Sequence, residues 1–281
     1  MGVRQFKDHL GAACMSPAIL AVFVVAFLAS LLGPLCGIGG GVIIKPVVDA
    51  MGIMPVATVS FLSSVSVLTM SLATLAQNAA AKTSTVNVKS MLPLALGSAV
   101  GGVAGKFAFN YLGKSIFSDS ELVGAVQAAI LIALTACVFV YTLRKDRVRA
   151  LDVQSGAAKA AIGFVAGALW SFLGIGGGPF NLAILTFFFA METKPAAQAS
   201  LFIIAFSQTA SLIYSLVRGG LPEFAPVALL GMCVAAVAGS VIGRKIARRV
   251  SSQVIDRTYL FALVLIICVC CYNFARFTGL A

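Results

Sequence analysis

The pentapeptide Gly-Ile-Gly-Gly-Gly occurs twice in this sequence, at Gly37–Gly41 and again at Gly174–Gly178, 137 positions later. Each copy interrupts a long apolar run. Consecutive glycines weaken a helix, because each one favours the disordered backbone and offers no side chain to shield its amide. Non-helical backbone at membrane depth is tolerated only where protein or a water-filled cavity covers it. The pair therefore predicts two broken membrane helices that meet inside the protein.

The composition identifies the class of protein that carries this pair. The chain of 281 residues is 60% hydrophobic and 10% charged, with a mean hydropathy of +1.04. Its apolar stretches are long enough for helices that cross a bilayer, and none shows the short alternating pattern of a membrane β-barrel. The net charge of +11 comes from short basic runs between apolar spans, which indicate membrane orientation rather than nucleic-acid binding. We predict an all-α, multi-pass protein of the cell (inner) membrane, surrounded by lipid.

The order of segments predicts two homologous repeats, residues 1–150 and 151–281, joined by the basic run Arg144–Arg149. Each repeat consists of a glycine-broken element and three helices. The first repeat has its broken element at 16–52 and helices at 55–77, 91–112 and 122–143; the second has them at 157–191, 195–217, 226–243 and 259–277. We expect a further break at Gly33-Pro34, and close helix packing along Gly97, Gly101 and Gly105.

Two topologies are compatible with these segments. If each broken element crosses the membrane once, the chain makes eight crossings and its N-terminus is inside. If each broken element enters and returns as a re-entrant hairpin, each half makes three crossings and the second half is inverted. The inverted arrangement leaves more Lys and Arg in cytoplasmic loops, so the charge distribution favours it. The side of the N-terminus depends on which topology holds.

The paired glycine segments, each followed by a proline-initiated polar helix, resemble the sulfite exporter TauE/SafE family of anion permeases. The resemblance spans about Ala18 to Phe274 and rests on Gly37, Gly39, Gly40, Gly41 and Pro46 in the first half and on Gly174, Gly176, Gly177, Gly178 and Pro195 in the second. It implies transport of sulfite, sulfoacetate or another organosulfonate, driven by ion gradients. Lys45 and Pro179 depart from the usual pattern of that family.

The breaks themselves have the chemistry of an anion site. A half-helix that begins after the glycines directs unpaired amides and its positive dipole end into the gap. We predict substrate ligands among these amides and among side chains of the flanking helices: Gly39, Gly40, Gly41, Gly176, Gly177, Gly178, Ser60, Ser64, Asn181, Ser207 and Gln208. The alternative is structural: the glycines permit a tight helix crossing, and each hydroxyl bonds a carbonyl of its own helix.

Lys45 follows the first glycine run, and an ammonium in a broken membrane segment is costly unless it meets an opposite charge. It could contact the substrate directly, form an ion pair with Asp49 one turn further on, or extend to the lipid headgroups. We include it among the candidate substrate ligands. Trp170 is interpreted as a packing residue or an interface anchor.

The sequence offers no proton relay or metal site. Asp49, Glu192 and Glu223 fall at segment ends, which gives cation antiport little support; H+ or Na+ coupling and uniport all stay open. With His9 as its one histidine and no interior carboxylate pair, the chain lacks the groups of an enzyme, and no cofactor or metal is expected. We predict a secondary transporter that works by alternating access. The alternatives are a transporter of another small anion or a carboxylate, and an anion channel. No feature fixes an oligomeric state.

Overall fold

The computed structural model describes residues 17–115, 120–218 and 221–279, and within these ranges the chain is all-helical, as predicted. His9 lies outside the described residues. The described helices are α1 (Pro17–Cys36), α2 (Gly41–Met51), α3 (Val56–Ala80), α4 (Val88–Ser115), α5 (Ser120–Arg144), α6 (Gly156–Leu173), α7 (Gly178–Phe189), α8 (Thr193–Val217), α9 (Pro226–Arg249) and α10 (Ser252–Phe277).

Helices α2 and α7 are the short ones, with 11 and 12 residues. At 1.5 Å per residue they extend only about 16–18 Å, well short of the roughly 30 Å hydrocarbon layer. The other eight helices are long and apolar enough to cross a membrane. Large apolar side chains on their outer surfaces, such as Val234 and Phe261, are about 70% exposed, which suits contact with lipid. The chain is a multi-pass membrane protein.

Both halves present their helices in the same order: one long helix, a glycine break, one short helix and three long helices. Several helices extend beyond the apolar windows. Helix α9 continues through its basic end to Arg249, and α8 begins at Thr193, two residues before Pro195. Arg and Lys are good helix formers, so an apolar window underestimates helix length at polar ends. The homologous repeats and their inverted orientation stay predictions.

The break expected at Gly33-Pro34 is wrong. Helix α1 continues through Pro34 to Cys36 and ends only at the glycines. Pro34 lies two residues before the helix end, so its missing N–H removes a single hydrogen bond from the last turn. Gly33 has a packing role instead, because the thioether of Met70 in α3 fills the space that a Cβ would need. Each glycine-containing segment is therefore broken once, at its glycines.

Glycines bring two pairs of helices into backbone contact. A Cβ at Gly97, Gly101 or Gly105 of α4 would overlap a backbone carbonyl oxygen of α6. A Cβ at Gly239 or Gly243 of α9 would do the same on α1. These contacts confirm the packing interpretation of the α4 glycines. Each pair joins a helix of one half to a helix of the other, and α3 and α8 pack between the two pairs.

Candidate functional site

The two breaks have the same local conformation. Gly40 caps the N-terminus of α2 with φ 64°, and Gly177 caps α7 with φ 94°. Both angles lie in the left-handed region, which costs a residue with a Cβ about 1–2 kcal/mol. In each short helix, the amide four residues after the cap closes the first turn. The Ile44 amide donates to the Gly40 carbonyl at 2.9 Å, and the Asn181 amide donates to the Gly177 carbonyl at 3.2 Å. Glycine at these two caps is what lets each short helix begin abruptly.

The two breaks lie directly against each other. A Cβ at Gly41 would overlap the carbonyl oxygen of Ile175, and one at Gly178 would overlap the carbonyl oxygen of Ile38. Gly39 lies beside Gly178, with 3.5 Å between the Cα of Gly178 and the Cβ position of Gly39. The structure therefore brings together the two segments that the sequence places 137 positions apart. For Gly41 and Gly178, close backbone approach is a sufficient reason for glycine.

The glycine amides differ in availability. The Gly41 amide, predicted as a ligand, donates to the carbonyl of Gly39 at 2.6 Å and is therefore engaged within its own break. The amides of Gly39, Gly40 and Gly176–Gly178 donate to no acceptor within the described part of the chain. Free amides at the start of a short helix suit a negatively charged group. Five of the six predicted glycine amides are available in that sense.

Polar side chains surround the second break. Ser60 of α3 has its hydroxyl 2.8 Å from the Cβ position of Gly174. Asn181 of α7 has its side-chain nitrogen 2.7 Å from the Cβ position of Gly177, and the side-chain nitrogen of Gln208 in α8 lies 3.7 Å from that of Gly176. Three different helices thus place a polar group against three glycines of the same break. All three side chains are buried.

A pair of hydroxyls continues this polar surface towards α4. The Cβ position of Gly102 lies 2.9 Å from the hydroxyl of Ser207 in α8 and 3.2 Å from the hydroxyl of Ser171 in α6. Ser207 was a predicted ligand, whereas Ser171 was not. Its position three residues before the second glycine run is the signal that could have identified it.

These buried groups have no hydrogen-bond partner among the described residues. The unpartnered atoms are the hydroxyls of Ser60, Ser171 and Ser207, the side-chain nitrogen of Asn181, and both polar atoms of the Gln208 amide. Each unsatisfied buried group costs about 1–3 kcal/mol. The side-chain oxygen of Asn181 accepts a hydrogen bond from the Trp170 indole at 2.8 Å, which fixes the free NH2 on the opposite side. We call Ser60, Ser171, Asn181, Ser207 and Gln208 the donor cluster.

Trp170 and Ser64 lie outside this cluster. Trp170 is buried and stacks on Phe180 with ring centroids 4.7 Å apart, so it is a packing residue and not an interface anchor. Ser64 is only partly buried, whereas Ser63 beside it donates to the carbonyl of Gly41 at 3.4 Å. In α8, the equivalent Ser200 donates to the carbonyl of Gly37 at 2.9 Å. These two serines tie α3 and α8 to the first break.

The first break has apolar neighbours at the corresponding positions. Residues 137 positions apart occupy matching places: Ala197 packs on Gly37 where Ser60 packs on Gly174, and Ile204 packs on Gly39 where Val67 packs on Gly176. Near Gly40 the neighbours are Ala29 and Ser30 of α1. Ser30 has an unpartnered hydroxyl, and in the described part of the chain none of the atoms nearest to the Cβ positions of these three glycines belongs to a side-chain amide.

Lys45 forms the predicted ion pair with Asp49. Its ammonium lies 2.6 Å from Asp49 Oδ2, and both side chains are about 5% exposed. The sequence placed Asp49 at a segment end, and it does lie in the last turn of α2, but buried among other helices. Arg276 of α10 donates to the carbonyls of Asp49 and Ala50 and so caps this end of α2. Direct substrate contact by Lys45 stays a prediction.

Lys106 is a buried cation that no sequence motif marks. It lies in α4 four residues after Gly102, on the same helix face as the contact with Ser171 and Ser207. The side chain is about nine-tenths buried, with its ammonium 5.2 Å from the ring centroid of Phe109. No carboxylate in the described ranges forms an ion pair with it. Only the fold, by packing α4 on α6, brings the helix that carries this charge against the helix that leads into the second break.

Comparisons with known proteins agree on the class. The profile of the sulfite exporter TauE/SafE family matches residues 22–270. A curated protein of Bacillus subtilis (strain 168), the probable membrane transporter protein YunE, is 26% identical over 278 residues, covering 91% of this chain and 98% of its own length. No solved structure matches the chain. The family profile covers most of the chain, including both glycine breaks, and the chain therefore belongs to the sulfite exporter TauE/SafE family of membrane transporters.

Proposed function

We propose that this protein is a secondary transporter of a small sulfur-containing anion, such as sulfite or an organosulfonate, and that it works by alternating access around the second glycine break and the donor cluster. One observation carries the proposal: three buried polar side chains border a break with free amides, two more buried hydroxyls meet at Gly102 of α4, and none of the atoms concerned has a partner among the described residues. A bound anion would supply the missing acceptors and recover the cost of burial.

The chemistry of the cluster favours an oxyanion. Hydroxyl and amide groups donate hydrogen bonds without carrying charge, and a sulfonate offers three oxygens that accept them. Neutral donors bind such a group without the large desolvation cost of a buried ammonium. The Gly176 and Gly177 amides and the positive end of α7 add favourable charge at the same place. The family name agrees with a sulfur oxyanion as substrate.

Lys106 supplies the long-range attraction. It is the cation nearest along α4 to the Ser171 and Ser207 hydroxyls, and a buried ammonium without a carboxylate partner raises the local concentration of anions. We assign it to the path by which the substrate reaches the donor cluster. The same geometry would accept other small anions or carboxylates, which the experiment below compares directly.

The test is a thermal-shift screen of the purified protein with sulfite, sulfate, thiosulfate, sulfoacetate and taurine, and with acetate and lactate as carboxylate controls. The substrate binds the native state and raises the melting temperature in a saturable way. Counterflow of the same anion in proteoliposomes separates a carrier from a channel, since a channel shows no exchange. Absence of both a shift and a flux for every anion would overturn the proposal.

Lys106→Met tests the charge. We expect the half-saturating anion concentration to rise about tenfold, because one desolvated charge interaction is lost, and Lys106→Arg to restore most of the affinity. Lys159→Met is the matched control: Lys159 is also buried and also lies over a ring, Phe189, but its ammonium bonds the hydroxyl of Ser90 at 3.0 Å. Equal losses in both variants would remove Lys106 from the anion path.

A further inference from the structure

A small cavity lies beside the C-terminal half of the short helix α2, between α2, α5, α10 and the end of α6. It has a volume of about 10 Å³, enough for about one water-sized occupant. Lys45 and Asp49 of α2, Gln127 of α5 and Asn273 of α10 supply its polar lining. Three helices that are distant in sequence therefore enclose one buried ion pair and two buried amides.

Three oxygens of this lining have no hydrogen-bond partner within the described residues. They are Asp49 Oδ1, Gln127 Oε1 and Asn273 Oδ1. The amide orientations are fixed by their other ends: the nitrogen of Gln127 donates to the carbonyl of Phe172 at 2.7 Å, and that of Asn273 to the carbonyl of Pro46 at 2.8 Å. Since each nitrogen is turned towards a carbonyl on a neighbouring segment, the oxygen of each amide is the end without a partner. The residues that line the cavity therefore include three oxygens without a partner, beside the Lys45 ammonium and the Cys270 thiol.

Three buried oxygens without partners, one of them on a carboxylate, suit a cation. A water molecule donates two hydrogen bonds and leaves the third oxygen unsatisfied. A hard monovalent cation such as Na+ accepts all three oxygens as ligands, one of them a carboxylate, because such ions prefer oxygen. The size of the cavity fits one dehydrated ion. By contrast, the unpartnered atoms of the donor cluster are mostly donors, which suits the opposite charge.

We propose that the cavity is a Na+ site in which Na+ competes with Lys45 for Asp49. Lys45 and Asp49 form a neutral pair, and Arg276 already binds the Asp49 and Ala50 carbonyls, so a second cation beside Lys45 would be repelled. Na+ binding therefore requires the Lys45 ammonium to leave Asp49. The proposal rests on the proposed function in one respect: the released ammonium finds its new partner in the transported anion.

The geometry of α2 links the two events. Lys45 lies four residues after Gly41, about 6 Å along the helix axis, and a lysine side chain spans a similar distance. Helical side chains lean towards the N-terminus, which here is the end at the break. When Na+ replaces Lys45 at Asp49, the ammonium can turn towards Gly41, which lies against Ile175 of the second break, where an anion stabilises it. Na+ and anion then increase each other's affinity by the same factor.

The test measures Na+ binding without any substrate anion. The melting temperature of the purified protein is recorded in NaCl and in choline chloride at equal ionic strength. We expect a saturable, Na+-specific rise in the wild type and none in Asp49→Asn. In Lys45→Met the competitor is gone and Asp49 is left unpaired, so Na+ should saturate at a concentration about tenfold lower, with a larger rise.

Asp256→Asn is the matched control, because it breaks the Lys145–Asp256 ion pair, which lies elsewhere and is about a quarter exposed. Its Na+ response should equal that of the wild type. No Na+-specific shift in the wild type, or an unchanged half-saturation in Lys45→Met, overturns the site. Should Asp49→Asn fail to fold, Gln127→Leu, which removes one ligand and keeps the ion pair, replaces it, and an unchanged Na+ response there counts against the site.

The anion screen in choline buffer separates this proposal from the previous one. An anion response without a Na+ response overturns the Na+ site alone. A Na+ response without any anion response overturns the anion proposal alone. Where both occur, the anion half-saturation in Na+ should be about tenfold lower than in choline. Equal values in the two buffers overturn the exchange of Lys45 between the two sites.

Discussion

The two glycine breaks have the same five residues and different neighbours. Around the second break, Ser60, Asn181 and Gln208 bring unpartnered polar atoms against the glycines; around the first, Ala197 and Ile204 bring methyl groups. The backbone conformation is shared, because glycine caps both short helices in the left-handed region. The pentapeptide therefore determines the shape of the break, and the helices packed on it determine the chemistry. A search for the glycine motif alone would rank the two sites as equal.

The largest expected effect concerns what the breaks share. Gly41→Ala and Gly178→Ala each place a Cβ into a carbonyl oxygen of the opposite break. We expect each to cost at least about 3 kcal/mol, because the backbone cannot move aside as a side chain would. Recovery of monodisperse protein in detergent measures the loss. Gly156→Ala is the control, since a Cβ there meets nothing within 4 Å. A normal yield of either break variant would contradict the contact between the breaks.

Alanine substitutions at the two helix caps should destabilise the protein by different amounts. A Cβ at Gly40 has its nearest neighbour at 3.4 Å, so Gly40→Ala costs only the left-handed conformation, about 1–2 kcal/mol. At Gly177 the Cβ would lie 2.5 Å from the Trp170 ring and 2.7 Å from the Asn181 nitrogen, which adds about 1–3 kcal/mol. Thermal unfolding of the two variants measures the difference. Equal melting temperatures would mean that the second break is no more crowded than the first.

Gln208→Leu should show which of the two breaks binds the anion. Removing both polar atoms of the amide should weaken binding of the responding anion by about 10- to 100-fold, the value of a hydrogen bond to a charged group. Stability should stay equal or rise, because two unpartnered buried groups are lost. The matched control is Ser71→Ala, 137 positions earlier, with an expected change below about threefold. Similar losses in both variants would assign the anion to no particular break.

The smallest expected effect is at Ser60. Ser60→Ala removes one neutral donor and should lower the affinity for the anion about fivefold without destabilising the protein. Ala197→Ser makes the reverse change at the matching position of the first break, beside Gly37, and should leave affinity unchanged. Titration by thermal shift compares the two. A gain of affinity in Ala197→Ser would show that the first break also contacts the anion.

Much of the helical pattern follows from the sequence, because long apolar windows and glycine runs act locally. The all-helical class, both glycine breaks and the Lys45–Asp49 pair could be predicted, the last from a spacing of four residues. The expected break at Pro34 failed because a proline near a helix end costs little. Ser171, Lys106, Gln127 and Asn273 were missed, because their importance depends on which helix lies opposite.

The close approach of α4 to α6 and of α9 to α1 also bears on how the chain assembles in the membrane. Each contact joins a helix of one half to a helix of the other. Its glycines expose backbone that the partner helix covers more closely than lipid can. During synthesis α4 is complete before α6, and α1 must wait until α9 has been made. The early helices therefore stay loosely held until late in translation. A nascent chain stopped after residue 150 would be an open, protease-sensitive intermediate rather than half of a finished protein.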